Sequence, residues 1–222
     1  MMDSTKLETR DEILSFIHNY CNFGLNRVYI LVAIARPKEH IDLSYGDRPM
    51  FRKIISDESE IDKQYNKITG ITKEYNRNNN DKFKFRLYLT VNARDTDRAL
   101  YLYQKHILEL QRHASNGHKE SHNKIKRMDS EWKSMLEKDT NKDDSYFILD
   151  FDDASKSELK QLSDEIKTET DIEVLDIIDT PNGFHLITEP FNYAECNTIN
   201  NYNELSAETD DLLFLSMIDE KT

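Results

Sequence analysis

Between residues 8 and 20 the apolar positions Ile13, Leu14, Phe16, Ile17 and Tyr20 recur with helical spacing, and Gly24 marks the end of that segment. Residues 28–35 (VYILVAIA) are an unbroken apolar run, short enough for a buried strand, that stops at Arg36-Pro37. Residues 51–75 interleave polar and apolar positions and predict a helix; the polar stretch 76–81 reads as a linker. Residues 83–92 (FKFRLYLTVN) alternate with the period of a half-buried strand. Asp95 or Thr96 then caps a helix over 97–113, ended by Asn116-Gly117. A charged helical segment with Trp132, Met135 and Leu136 follows, and 139–145 is the most polar linker of the chain.

Beyond that linker the elements follow in a regular order. Residues 146–151 predict a strand. Residues 155–168 predict a helix capped by Ser155, with Leu159, Leu162 and Ile166 on one face. Strands over 172–178 and 184–188 flank the turn Pro181-Asn182-Gly183. Residues 193–205 are ambiguous with a helical leaning, and 212–218 (LLFLSMI) is a last apolar run, strand or short helix. Strand–helix–strand–strand–helix–strand is the split βαβ arrangement, which buries one sheet face under two helices and leaves the other open for a site. The expected fold class is therefore α+β: an α/β subdomain over 1–138 joined to a split βαβ core over 146–222, the two forming one compact unit.

Composition narrows the setting. At 222 residues the chain can bury a sizeable core, and 10 Phe and 11 Tyr argue against disorder although 32% of residues are charged. Cys21 and Cys196 are too few for a disulfide framework or a four-thiolate zinc site, which fits a reducing, cytoplasmic setting. The polar, charged start predicts no signal peptide, and no apolar run approaches membrane-spanning length, so no membrane partner is expected. The net charge of −12 speaks against a general nucleic-acid coat. It is unevenly spread: residues 146–222 carry 4 Lys and Arg against 19 Asp and Glu, and residues 1–145 carry 26 against 23. The acidic third can host metals while the remainder meets a polyanion, although most of those carboxylates read as solvated surface.

The sharpest chemistry lies in residues 147–153 (FILDFDD) and 180–187 (TPNGFHLI). Alternation puts Asp150 and Asp152 on one strand face, roughly 7 Å apart. Two such carboxylates repel and are hard to bury without a cation, which points to divalent metal. Asp153 reads as solvent-facing. His185, just after Gly183, sits inside an apolar strand; glycine there allows a close backbone or ligand approach. Its expected role is to bind a nucleotide phosphate rather than to act as a base. Asp211 enters the last apolar run and Asp219 leaves it, and either could complete a metal site. Arg36 and Arg94 each follow an apolar strand, where arginine can clamp phosphate or form a surface ion pair. Lys84 and Arg86 share one strand face. His106, His113, His118 and His122 have no zinc spacing and read as surface histidines.

These motifs resemble the catalytic core of the archaeo-eukaryotic primase superfamily, which includes primase-polymerases of viruses and mobile elements. Its hydrophobic Asp-x-Asp motif is matched by Asp150 and Asp152. Its small-x-His motif is matched by Gly183, Phe184 and His185. For its third motif, an aspartate beside a hydrophobic strand, Asp211 and Asp219 compete. The resemblance implies an RRM-like core over 146–222, with Mg²⁺ or Mn²⁺ on Asp150, Asp152 and that third carboxylate, and His185 on the incoming nucleotide. It further implies Arg36, Arg86 and Arg94 on phosphate or template, nucleoside triphosphates as substrates, a single-stranded DNA or RNA template, and a helicase or other replication protein as partner. It covers 146–222 well and the first 145 residues loosely. Two other readings remain: a non-catalytic primase-like module that binds nucleic acid or a replication protein, and a phosphohydrolase of haloacid-dehalogenase type. The second fits less well, because Ala154 stands where Thr or Val is usual and 70 residues follow Asp152.

Overall fold

A computed structural model describes residues 4–39, 48–143, 145–202, 205–208 and 212–218. The chain folds as a mixed α+β protein with two antiparallel sheets. In order, the elements are α1 (Arg10–Tyr20), β1 (Arg27–Ala35), β2 (Met50–Ile55), α2 (Ile61–Asn78), β3 (Phe85–Thr90), β4 (Arg94–Asp95), α3 (Thr96–Ser115), α4 (Lys119–Ile125) and α5 (Met128–Leu136). Then come β5 (Phe147–Asp152), α6 (Lys156–Thr170), β6 (Val174–Asp179), β7 (Gly183–Thr188), α7 (Asn197–Asn201), β8 (Leu205–Glu208) and β9 (Leu212–Ile218). No helix among the described residues is long and apolar enough to cross a membrane.

The first sheet runs β2-β1-β3-β9, with β4 paired to the start of β1. From Val28 onward β1 is apolar because both its faces are covered. Tyr29, Leu31 and Ala33 pack with Ile13 and Ile17 of α1 and with Tyr65 and Ile68 of α2. Val28, Ile30, Val32 and Ile34 pack on the opposite side with Tyr88, Leu136 and Phe214. α1 starts at a capping box in which Thr9 and Glu12 satisfy each other's backbone donors, and Asp95 caps α3 as expected.

The second sheet runs β6-β7-β5-β8, every neighbour antiparallel. One face is buried under α6 and α7, with Leu149, Phe151, Phe184 and Leu186 meeting Leu159, Leu162, Ile166 and Ile199. α6 begins at a Ser155–Glu158 capping box and ends at Asp171, whose φ of 60° is the left-handed conformation that stops a helix.

Two expectations are corrected here. Residues 50–55 are a strand, not the start of a helix; the helix begins at Ile61. β2 is an edge strand half-buried on both faces, so its MFRKII pattern lacks clean alternation, and pairing with β1 from Tyr29↔Ile55 to Ile34↔Met50 decides it. The last apolar run, expected to finish the second sheet, pairs instead with β3 of the first. The short β8, which begins where the ambiguous stretch ends, occupies the position beside β5.

Both chain ends thus cross over. Thr5 lies along β6, with its N–H donating to the Ile177 carbonyl at 2.8 Å and its carbonyl accepting from Asp179 at 3.0 Å. A small apolar core joins the sheets: Val91, Ile148, Ile178, Ile187 and Leu213, flanked by Phe16, Tyr20 and Tyr146. Asn92, fully buried, ties the connecting segment down; its Oδ1 accepts from the N–H groups of Ser145 (3.2 Å) and Tyr146 (2.9 Å), and its Nδ2 donates to the Tyr146 carbonyl (2.8 Å). The Tyr20 hydroxyl donates to the Val91 carbonyl at 2.8 Å, and burial raises its pKa.

Candidate active-site cleft

Away from that shared core the sheets part around a cleft of about 470 Å³. On β5, Leu149 and Phe151 turn to α6, so the odd-numbered side chains build the core and Asp150 and Asp152 line the cleft. On β7, Phe184 and Leu186 turn to α6, and His185 lines the cleft. The register sets Asp150 opposite His185 and Asp152 opposite Gly183.

Gly183 is required by space. A Cβ there would lie 2.0 Å from the Phe151 carbonyl oxygen and 2.8 Å from the Asp152 Cα, both backbone atoms. The turn before it is fixed by Thr180, whose Oγ1 accepts from the Gly183 N–H at 3.0 Å. Past Asp152 the strand ends at Asp153, which has a left-handed φ of 55° and donates its N–H to the Asn182 carbonyl. Asp153 is exposed and is not among the cleft residues.

His185 is 7% exposed and couples the two sheets. Its Nδ1 lies 3.3 Å from the backbone N–H of Phe214 on β9, so Nδ1 accepts and the neutral ring carries its proton on Nε2. Nε2 stands 3.6 Å from Asp150 Oδ1.

The opposite wall is basic. Arg36, Arg48, Arg52, Arg86 and Arg94 line the cleft with Tyr88 and Thr90. Three of these, Arg36, Arg86 and Arg94, are the arginines expected from the sequence; Arg48 and Arg52 are additions. Arg86 is buried, and its Nε donates to Glu39 Oε1 at 2.7 Å. Arg52 pairs with Glu137 at 2.5 Å. Burial raises the Glu137 pKa, and Arg52 opposes that rise. Arg94 is buried where β4 meets β1. Five guanidinium groups stand with Asp150, Asp152, Glu137 and the Glu39 partner of Arg86, so the positive groups gather on one wall of the cleft. Its chemistry suits a polyanion on one wall and a cation-bridged phosphate on the other.

Asp211 and Asp219 lie outside the described residues. Among those described, no group of three or more His, Cys, Asp and Glu forms a metal cage. The pair Asp150 and Asp152 nevertheless fits Mg²⁺ or Mn²⁺, which take one or two carboxylates and leave the remaining positions to substrate phosphates and water. Of the other residues with candidate chemistry, Lys84 is exposed on the segment entering β3. His106 meets Glu131 at 2.9 Å, and the rings of His113 and His118 pack edge to face at 5.3 Å.

No protein-family model, curated protein or solved structure matches this chain. The geometry of the cleft itself therefore carries its functional reading.

Arg52 carried a faint sequence signal, since it falls on the same strand face as Met50 once 50–55 is taken as a strand. Arg48 and Glu137 carried none, because nothing local to them marks the cleft.

Proposed function

We propose that the protein is a metal-dependent nucleotidyltransferase of the primase-polymerase type, adding nucleotides to a 3′-hydroxyl on a single-stranded DNA or RNA template. One observation carries this: Asp150, Asp152 and His185 share one wall of a cleft whose other wall presents five arginines. A hydrolase acting on a single phosphate needs far less positive charge than a triphosphate and a nucleic-acid backbone do together. The strand order β6-β7-β5-β8, with α6 and α7 on one face and the cleft on the other, supports an RRM-like split βαβ core.

In this reading Asp150 and Asp152 hold the divalent cations, with Asp211 or Asp219 as the third carboxylate. The bound cations supply electrostatic stabilisation of the charge that develops as phosphoryl bonds exchange. His185 donates from Nε2 to a triphosphate oxygen, its ring orientation fixed by the Phe214 N–H on Nδ1. Arg36, Arg48 and Arg94 bind the remaining phosphate charge, and Arg86 is braced by Glu39. The 3′-oxygen attacks the α-phosphorus in line, the bond to the bridging oxygen breaks, pyrophosphate leaves and the hydroxyl proton passes to solvent. A helicase or other replication protein would supply the single strand.

Titration calorimetry of Mn²⁺ and of a nucleoside triphosphate tests the assignments separately. Asp150→Asn with Asp152→Asn abolishes Mn²⁺ binding, whereas His185→Ala keeps Mn²⁺ binding and weakens triphosphate binding at least tenfold. Mn²⁺ affinity unchanged in the double variant would remove the metal from this cleft.

A further inference from the structure

β2 forms the outer edge of the first sheet, and among the described residues it pairs only with β1. Along that edge runs a groove of about 180 Å³, with Met50, Arg52 and Lys53 on its floor, Ile71 of α2 on one side and Lys133 of α5 on the other. Met50 and Arg52 also line the cleft, so groove and cleft adjoin at these two residues. Partial burial of Lys53, and the nearby charges of Lys133 and Lys67, hold its ammonium pKa below the ordinary value. Like charges gathered at a half-buried position are unfavourable alone and favour an anion among them. One turn along α2 from Ile71, Lys67 is exposed, and Lys133 has an exposed partner, Asp129, at 3.5 Å.

From this we infer that the open edge of β2 is a track for the phosphate backbone of single-stranded nucleic acid, which leaves the cleft past Arg52 and runs over Lys53, Lys67 and Lys133. The inference rests on the proposed reading of the cleft and adds the path of the strand outside it. Charge complementarity, and the nearness of the cleft through Met50 and Arg52, favour a polyanion over a peptide strand on this edge.

The test is fluorescence anisotropy with labelled 20-nucleotide strands, one of DNA and one of RNA, in EDTA across a salt series. Lys53→Ala/Lys67→Ala/Lys133→Ala is compared with Lys156→Ala/Lys160→Ala/Lys167→Ala, which makes the same change in net charge on α6. The first variant is expected to bind roughly 10- to 100-fold more weakly. The slope of log K against log salt should fall by about 2, since each of three phosphates left without its lysine takes about 0.7 from it. The α6 variant should match the parent, and the DNA and RNA arms report which polymer the track takes. Equal loss in both variants, unchanged binding in the first, or no binding of either polymer by the parent would overturn the inference. Incorporation assays distinguish the two levels. Incorporation with lysine-independent binding sinks only the track, and lysine-dependent binding without incorporation sinks only the catalytic reading.

Discussion

Replacing Gly183 with alanine is the most demanding perturbation of the cleft, because the added methyl has nowhere to go. Its Cβ would stand 2.0 Å from the Phe151 carbonyl oxygen and 2.9 Å from the Phe151 carbonyl carbon, where ordinary contacts begin near 3.4 Å. Both are backbone atoms of β5, so no rotamer change relieves the overlap. The strands must separate by more than an ångström at the Asp152–Gly183 pair, next to Asp150 and His185. Gly183 does not have the left-handed φ found at Gly117, so the cost is steric rather than conformational. Overpacking on this scale costs about 3 kcal/mol. For a chain of this size that lowers Tm by roughly 6 to 12 °C. Urea unfolding followed by far-UV circular dichroism reads the loss as a lower midpoint at unchanged slope. Nucleotide incorporation should fall at least about 100-fold, since a shift of an ångström in reacting groups has that effect. A variant within about 0.5 kcal/mol of the parent would refute the close approach of β5 and β7, and with it the placement of Asp152.

Asn92→Ala should cost about 3 kcal/mol in urea unfolding, because it strips buried partners from Ser145 and Tyr146; a loss under about 1 kcal/mol would mean the connecting segment is held otherwise. Tyr20→Phe removes the hydrogen bond to the Val91 carbonyl in the core shared by the sheets and should cost about 1 kcal/mol in the same assay; an unchanged midpoint would contradict that bond. Glu169 accepts from the backbone N–H groups of Thr198 and Asn197 and from the Thr198 hydroxyl, which hold its pKa at about 2. Its folded pKa is depressed, so its contribution is complete above the unfolded carboxyl pKa and is lost as pH falls toward 2. The stability gap between parent and Glu169→Gln should therefore be widest near neutrality and close between about pH 4.5 and 2; a gap independent of pH would contradict the assignment.

Much of the architecture was legible because single elements obey one dominant rule. The unbroken apolar run of β1 needed two covered faces, and helices α1 and α2 with Tyr88 and Leu136 supply them. Asp95 and Ser155 are caps whose chemistry is local, so they were readable at once. β2 was not, because an edge strand half-buried on both faces has no period of its own and takes its form from β1. β8 is four residues long, below what periodicity can resolve. The destination of β9 depends on which sheet offers a free edge, a tertiary fact that no local pattern encodes. In the cleft, Asp150, Asp152 and His185 were legible because polar groups inside apolar strands require an explanation. Arg48 and Glu137 were not, since they reach the cleft from segments whose proximity is set only by tertiary packing, and Arg52 becomes readable only once β2 is known to be a strand.

The central claim is nucleotide transfer in the cleft between the sheets, and incorporation tests it most directly. Purified protein is given a single-stranded template, with and without primer, NTPs or dNTPs, and Mg²⁺ or Mn²⁺, beside the Asp150→Asn/Asp152→Asn variant. The account predicts extended product from the parent and none from the variant, with the primer-free lanes showing whether chains are started or only extended. No product from the parent under any of these conditions would contradict it.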